Sequence, residues 1–380
     1  MRAITISPRQ PRSLRLEELA GPERNGASAL VRTLAVGVCG TDRELIQGEY
    51  GEAPAGRGRL VIGHESLGRV IEAPAESGLA TGDLVAGIVR HPDPVPCTSC
   101  GLGEWDMCRN GLYSERGIKQ LDGFCAERWA ADPEFLVRLD PRLGLAGVLL
   151  EPASVLAKAW EHVERIGRRS RWAPERVLVA GAGPVGLMAA MIGVQRGLEV
   201  HVLDRNEDGP KPALARELGA TYHNRFPGFE PDIVIECTGA PSVIVQAVSG
   251  CAPGGIVCLT GLGEAGSASS FDVAALNQSM VMENRVVFGS VNANVRHYRE
   301  AAEALARAER AWLERLITRR VALQEQPFRI LVRLVERPGQ VVTREELRAL
   351  MGTPAHQPGD DEGRTVGHGG ESAAAASRLE

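Results

Sequence analysis

The sequence predicts an α/β chain in two parts, a β-rich N-terminal region followed by a doubly wound parallel sheet. Three observations lead there. Short apolar runs broken by Gly, Pro and charge fill the first 150 residues. From Val177 strand-like and helix-like segments alternate, and a glycine pattern falls between the first strand and the first helix of that alternation.

Taken in order, SALVRTLAVGVCG, LVIGHESLGRVIEA and DLVAGIVR read as strands of the N-terminal region. EPASVLAKAWEHVERIG, residues 151–167, has the spacing of an amphipathic helix and is followed by a basic connector, RRSRWAPER. The alternation then runs VLVAGAG, LMAAMIGVQRG, EVHVLD, ALARELGA, DIVIECTG, IVCLTG and VVFGSVN. HYREAAEALARAERAWLERLI, residues 297–317, reads as one long helix. After Gly352 the chain turns polar and rich in Gly and Ala, a composition that predicts disorder. No internal repeat is present.

A chain of 380 residues has room for two cores. Its net charge of −5 provides no general attraction to nucleic acid or to an anionic membrane. MRAITISPRQ lacks the apolar run of a secretory signal, so a cytoplasmic location is expected, with the eight cysteines reduced. VLVAGAGPVGLMAAMIGV is long enough to cross a bilayer, but its glycines and central proline fit a strand, a turn and a helix better.

Gly181, Gly183 and Gly186 form G-A-G-P-V-G directly after VLVA and before a helix. The first glycine permits a tight turn, the second lets the backbone approach a pyrophosphate, and the third lets helix and strand pack closely. The helix N-terminus then faces the phosphates. Asp204 ends the next strand, about 20 residues on, where a carboxylate can accept both ribose hydroxyls. The bland alternative is a glycine turn without cofactor. A carboxylate at 204 repels the 2′-phosphate of NADP and Arg205 attracts it, so NAD is favoured and NADP remains open.

Cys39, His64 and Glu65, with Glu151 from a distant point, offer the donors of a catalytic zinc, which needs three protein ligands and an open position. Each alone has a plainer reading: a small buried thiol, a satisfied histidine, turn or helix carboxylates. PCTSCGLGEWDMC adds Cys97, Cys100 and Cys108, to be read as disulfide partners, a redox pair with a spare, or metal ligands. A reducing compartment disfavours the first, and the absence of a thioredoxin-like strand–helix context disfavours the second. Cys125, Cys237, Cys251 and Cys258 lie in or beside apolar runs and read as inert core residues.

C-G-T-D, G-H-E-x-x-G-x-V, G-D-x-V from Gly82 to Val85, the cysteine loop and G-x-G-x-x-G occur in the order found in zinc-dependent medium-chain dehydrogenases. EWDMCRNGLYSERGIKQLDGFCAERW, LLEPASVLAKAWEHV and VFGSVNANVRHY more narrowly resemble the archaeal-type glucose 1-dehydrogenases, from Met1 to about Val321. The resemblance implies a GroES-like catalytic domain over 1–165 with zinc sites, a Rossmann NAD(P)-binding domain over 166–295 and a return helix over 296–323. It implies Cys39, His64 and Glu151 as catalytic zinc ligands, Glu65 as a ligand exchanging with water, and Thr41 as proton relay. Glu115 and Asn292, with Thr41 and Glu151, match positions that bind sugar hydroxyls. Gly181, Ala182, Gly183, Pro184, Val185 and Gly186 match cofactor contacts, as do Asp204, Arg205 and Asn206. So do Thr260, Gly261 and Leu262, and Ser290, Val291 and Asn292.

Relatives of this kind can hold a second, structural zinc with four cysteines spaced C-x2-C-x2-C-x7-C. Here Pro94 stands in the first place, so either Asp93 or His91 replaces the missing ligand beside Cys97, Cys100 and Cys108, or the site is weak or empty. A bound zinc is expected, because three clustered thiolates are unfavourable without metal. The implied activity is oxidation of an aldose, D-glucose foremost, at C1 with NAD or NADP and Zn2+. The alternatives are a polyol or alcohol dehydrogenase, or a DNA-binding or redox-sensing regulator on the same fold. A homo-oligomer, dimer or tetramer, is expected, without membrane or sequence-specific nucleic-acid partners. Residues 324–353 resemble the opening of a winged-helix domain without its recognition helix or wing, and 354–380 are expected to be a disordered tail.

Overall fold

The structure, a computed structural model, describes residues 1–263 and 272–320. The winged-helix-like segment 324–353 and the tail 354–380 lie outside the described residues.

The N-terminal region is built on a five-stranded antiparallel sheet. Its order is Arg128–Ala131, Ala29–Gly37, Glu65–Glu72, Leu84–Gly87 and Leu136–Arg138. The strand Ala29–Gly37 has register shifts at Leu30/Val31 and Thr33/Ala35 against its partner, irregularities that bend a strand and re-aim its end. Gly37 pairs with Glu65, so the exit toward Cys39 stands opposite His64 and Glu65. Two three-stranded sheets flank this one. Arg2–Ile6 lies between Arg15–Glu18 and Leu60–Val61, and Ser114–Arg116 lies between Arg90–His91 and Gln120–Leu121. This is the GroES-like half.

The second half is a six-stranded parallel sheet in the order Thr221–His223, Glu199–Leu203, Arg176–Ala180, Ile233–Glu236, Ile256–Leu259 and Val286–Gly289. Ile233–Glu236 is buried throughout and Arg176–Ala180 from Val177 onward, as expected where helices cover both faces. The order reverses direction between Arg176–Ala180 and Ile233–Glu236. A crevice at the carboxyl ends of the strands is where doubly wound sheets bind ligands.

The helix Leu150–Gly167 joins the halves. Leu150, Ala153, Leu156, Ala157, Trp160 and Val163 recur at helical spacing and are all buried. Burial of the larger ones contributes roughly 1.5–3 kcal/mol each. Trp160 Nε1 donates to Ala189 O at 3.2 Å, so the indole's polar edge is satisfied inside the core. One run, Pro141–Gly167, is long and apolar enough to cross a membrane by length and composition, yet 72% of its apolar window is buried inside the protein.

The long helix expected over 297–317 is two helices, Val295–Arg307 and Arg310–Leu316. Ala308 adopts an extended conformation (φ −82°, ψ 155°) between them. The break lets Trp312 reach Leu214 O with its Nε1 at 3.0 Å and buries Leu313 and Leu316. Apolar residues keep helical spacing across the break, which is why the periodicity conceals it.

Candidate active site

Cys39 precedes the helix Gly40–Gln47, and its backbone N–H donates to Asp42 Oδ2 at 3.0 Å. The other Asp42 oxygen faces His64 Nδ1 at 3.5 Å, so one buried carboxylate orients both neighbours. Cys39 Sγ lies 3.2 Å from His64 Nε2, near the roughly 3.5 Å separating sulfur and nitrogen on a tetrahedral zinc. The ligand atoms of Cys39, His64 and Glu65 all lie within 4.8 Å of one another. Room for the Glu65 carboxylate depends on Gly37, where a Cβ would sit 1.9 Å from Glu65 Oε2.

The electrostatics of this cluster suit a cation. Burial works against a charged His64 ring, but Asp42 and Cys39 outweigh it and hold the imidazole well above its ordinary value. Burial pushes the Cys39 thiol and the Glu65 carboxyl up, and raises Glu151 to about 8 with help from Glu65. Glu151, at the start of the helix Leu150–Gly167, is close enough to feel His64 and Glu65 but stands outside the tight cluster. A thiol, an imidazole and carboxylates that are costly to ionise alone fit a zinc ion by donor type and spacing. Thr41 lies in the same helix turn, beside the Tyr50 phenol, which burial pushes up to about 12.

Glu115 and Asn292, 177 residues apart, meet: Asn292 Nδ2 donates to Glu115 Oε1 at 2.7 Å. Arg90 joins the same oxygen, with Nε and Nη2 each at 2.9 Å. Asn292 holds φ at +61°, a left-handed conformation that asparagine tolerates better than most residues.

In the cysteine loop, Cys97, Cys100 and Cys108 also bring their sulfurs within 4.8 Å of one another. Backbone amides of Arg109 and Cys100 pull the Cys97 thiol down to about 6, whereas burial pushes Cys100 up to about 11. Asp93 is not gathered into this group. Its carboxylate accepts from Val95 N and from Asn110 Nδ2, both at 2.8 Å, which ties the loop together. His91 is also turned elsewhere, stacked on Phe135 at 3.8 Å with its pKa lowered to about 3, chiefly by burial. Neither expected substitute for the missing fourth cysteine converges on the three sulfurs.

At the parallel sheet, Gly181 has φ +106° and Gly186 is pressed so close that a Cβ would lie 1.8 Å from Gly181 O. Gly183 meets nothing within 4 Å and precedes the helix Pro184–Gln195, with Pro184 at its first position. Ala182 N donates to Asp204 Oδ2 at 2.9 Å, and Asn206 N donates to Oδ1 at 3.1 Å. Lys211 Nζ lies 2.8 Å from Asp204 Oδ2. Partial burial pushes the Asp204 carboxyl up, but Lys211 and the two amides outweigh it and hold it below the usual range. Arg205 is exposed beside it. Thr260 Oγ1 and Gly261 N both donate to Glu236 O, and Ser290 N donates to Leu259 O, which fixes two neighbouring strand-end loops. Val185, Leu262 and Val291 are exposed apolar side chains, at 37%, 84% and 61%. Ser290 Oγ is buried without a partner among the described residues. A tight glycine turn at a helix N-terminus, an acid at the end of the next strand and exposed apolar side chains fit a dinucleotide by type and position.

Sequence reasoning missed Asp42, Arg90, Lys158, Asp106 and Lys211. Asp42 alone had a local signal, since C-G-T-D places it three residues after Cys39. The others are charged residues whose role depends on partners far away in the chain.

Two family models match the chain: the alcohol dehydrogenase GroES-like domain over residues 25–141 and the glucose dehydrogenase C-terminus over 144–328. Glucose 1-dehydrogenase of Methanocella arvoryzae is 40% identical over 338 residues, covering 85% of this chain and 94% of the relative. Glucose 1-dehydrogenase of Thermoproteus tenax is 40% identical over 334 residues, with the same coverage. Among solved structures, Haloferax mediterranei glucose dehydrogenase in complex with NADP, Zn and gluconolactone aligns with a TM-score of 0.75 at 33% identity, over 83% of this chain and 91% of that one. A GroES-like sheet with a metal-ligand cluster, a doubly wound sheet with its glycine turn and this length of shared sequence place the chain in the glucose 1-dehydrogenase family of zinc-dependent medium-chain dehydrogenases.

Proposed function

We propose that this chain oxidises an aldose at C1, D-glucose foremost, to the lactone, with NAD or NADP as hydride acceptor. The observation that carries the reading is the Glu115–Asn292 pair, a polar recognition site alongside a Cys39–His64–Glu65 metal cluster. The Haloferax relative complexed with gluconolactone supports a sugar as substrate. Cys39, His64 and Glu151 would hold the zinc, with Glu65 as an exchanging ligand. Zinc, when bound, supplies Lewis-acid polarisation of the C1 hydroxyl. Thr41 takes the hydroxyl proton toward solvent, and Glu115 and Asn292 orient the ring through its other hydroxyls. A buried polar pair penalises a substrate without hydroxyls, which favours a sugar over a simple alcohol. The DNA-binding or redox-sensing reading draws no support from the described residues. All eight cysteines are unpaired, which suits a reducing compartment.

The test is reduction of NAD and NADP against aldoses, polyols and primary alcohols, with and without chelator. Aldoses should dominate and chelator should remove the activity. Faster turnover of primary alcohols would overturn the assignment.

On cofactor choice we favour NAD, because Asp204 repels a 2′-phosphate, with NADP accommodated through Lys211 and Arg205. Asp204→Ala should shift the kcat/KM ratio toward NADP by about tenfold or more. A wild-type enzyme that strongly prefers NADP would show that Lys211 and Arg205 outweigh the carboxylate.

For the cysteine loop we propose a structural zinc held by Cys97, Cys100 and Cys108, its fourth ligand unassigned. Metal analysis should return close to two zincs per chain, and Cys100→Ser should lose one and lower Tm by at least about 2 °C. One zinc together with three freely titrating loop thiols would mean that Pro94 has cost the site its metal.

A further inference from the structure

We infer that the buried Lys158–Asp106 ion pair is the positioning device for the Glu115–Asn292 sugar site, and so sets affinity for the sugar. The inference rests on the reading of Glu115 and Asn292 given above. Lys158 and Asp106 are 2% and 0% exposed in their side chains and stand 2.8 Å apart. A buried pair of this kind adds little net stability over an apolar replacement, because two charges must be desolvated. What it does here is tie three segments together. Lys158 Nζ, on the helix Leu150–Gly167, donates to Val291 O at 2.9 Å. Asp106, in the turn Trp105–Met107 of the cysteine loop, accepts from Asn294 Nδ2 at 2.7 Å. The backbone carbonyl of Asp106 accepts from Arg90 Nη1 at 3.2 Å.

These contacts close a ring. Arg90 holds Glu115, Asn292 holds the same Glu115 oxygen, and Val291, one residue before Asn292, is held by Lys158, whose partner Asp106 returns to Arg90. The ion pair therefore grips Asn292 from behind through the Val291 carbonyl, and the backbone of its Asp106 member anchors the Arg90 that holds Glu115. The Val291 carbonyl belongs to the peptide that leads into Asn292, so fixing it sets the plane from which that left-handed residue projects its amide. The three donors on Glu115 all fall on Oε1, and Oε2 accepts no hydrogen bond among the described residues. A ring that fixes one carboxylate oxygen and leaves its twin free is suited to present that twin to a substrate hydroxyl.

The experiment compares full-length, zinc-loaded Lys158→Met, Asp106→Asn and the double variant Lys158→Met/Asp106→Leu with wild type. Each single variant should raise the glucose KM by about tenfold, with kcat and the cofactor KM moving less and zinc content kept. The double variant removes the unpaired buried charge and should regain the Tm lost by the singles, yet retain the raised glucose KM. Recovery of the wild-type KM together with Tm would reduce the pair to a structural role and overturn the inference, as would single variants with unchanged glucose KM. Glu115→Gln and Asn292→Ala, measured alongside, separate the two levels. If they raise the glucose KM and the Lys158 variants do not, positioning alone fails. If they leave it unchanged, the sugar reading of Glu115 and Asn292 fails and takes the inference with it.

Discussion

Cys39→Ala and His64→Ala should each lower turnover by about a thousandfold or more while NAD(P) binding, followed by fluorescence titration, stays near the wild-type level. The size of the effect follows from the geometry. The two ligand atoms stand 3.2 Å apart, and the Asp42 carboxylate that orients both is buried and committed to them. Removing either donor takes away one of the three ligands proposed to hold the zinc, Cys39, His64 and Glu151, and leaves a set dominated by carboxylates. The dinucleotide turn at Gly181 to Gly186 shares no residue with this cluster, which is why cofactor affinity should survive. Metal analysis of the purified variants supplies the second readout, a lost catalytic zinc. Normal turnover in metal-stripped wild-type protein would sink this account of the site.

Gly186→Ala should weaken NAD(P) binding by about a hundredfold and lower Tm, whereas Gly183→Ala should weaken binding with Tm nearly unchanged. A methyl at 186 would stand 1.8 Å from Gly181 O, and a backbone oxygen cannot swing away as a side-chain tip can. The helix Pro184–Gln195 would have to lift off the glycine turn, which displaces the amides offered to the pyrophosphate. A methyl at 183 meets nothing within 4 Å of protein, so its cost arises only when the phosphates approach. Calorimetric titration and thermal unfolding separate the two. Gly186→Ala with wild-type affinity and Tm would show that the turn does not cradle the cofactor.

The parts of this molecule legible in its sequence are those made by neighbours in the chain. The glycine turn was legible because a tight left-handed position and a close helix approach are steric demands of six consecutive residues. The alternation of strand and helix in the parallel sheet was legible for the same reason, since period and length are local. Cys39 and His64 could be nominated from their chemistry, and resemblance supplied Glu115 and Asn292. Where the local pattern continued through a break, as at Ala308, the sequence misled.

Tertiary structure decided which of those nominees meet. The pairing of Gly37 with Glu65 brings Cys39 to His64. The packing of the two halves brings Asn292 to Glu115 across 177 residues and Lys158 to Asp106 across the helix that joins them. The Asp93 carboxylate is committed to Val95 N and Asn110 Nδ2, and His91 is stacked on Phe135, so neither donor joins the three-sulfur group, although either was a chemically sound ligand. The physical reason is one of range. Propensity, turn sterics and periodicity act over a few residues, while convergence of ligands and ion pairs depends on sheet register and helix packing, which a linear sequence encodes only through the whole fold.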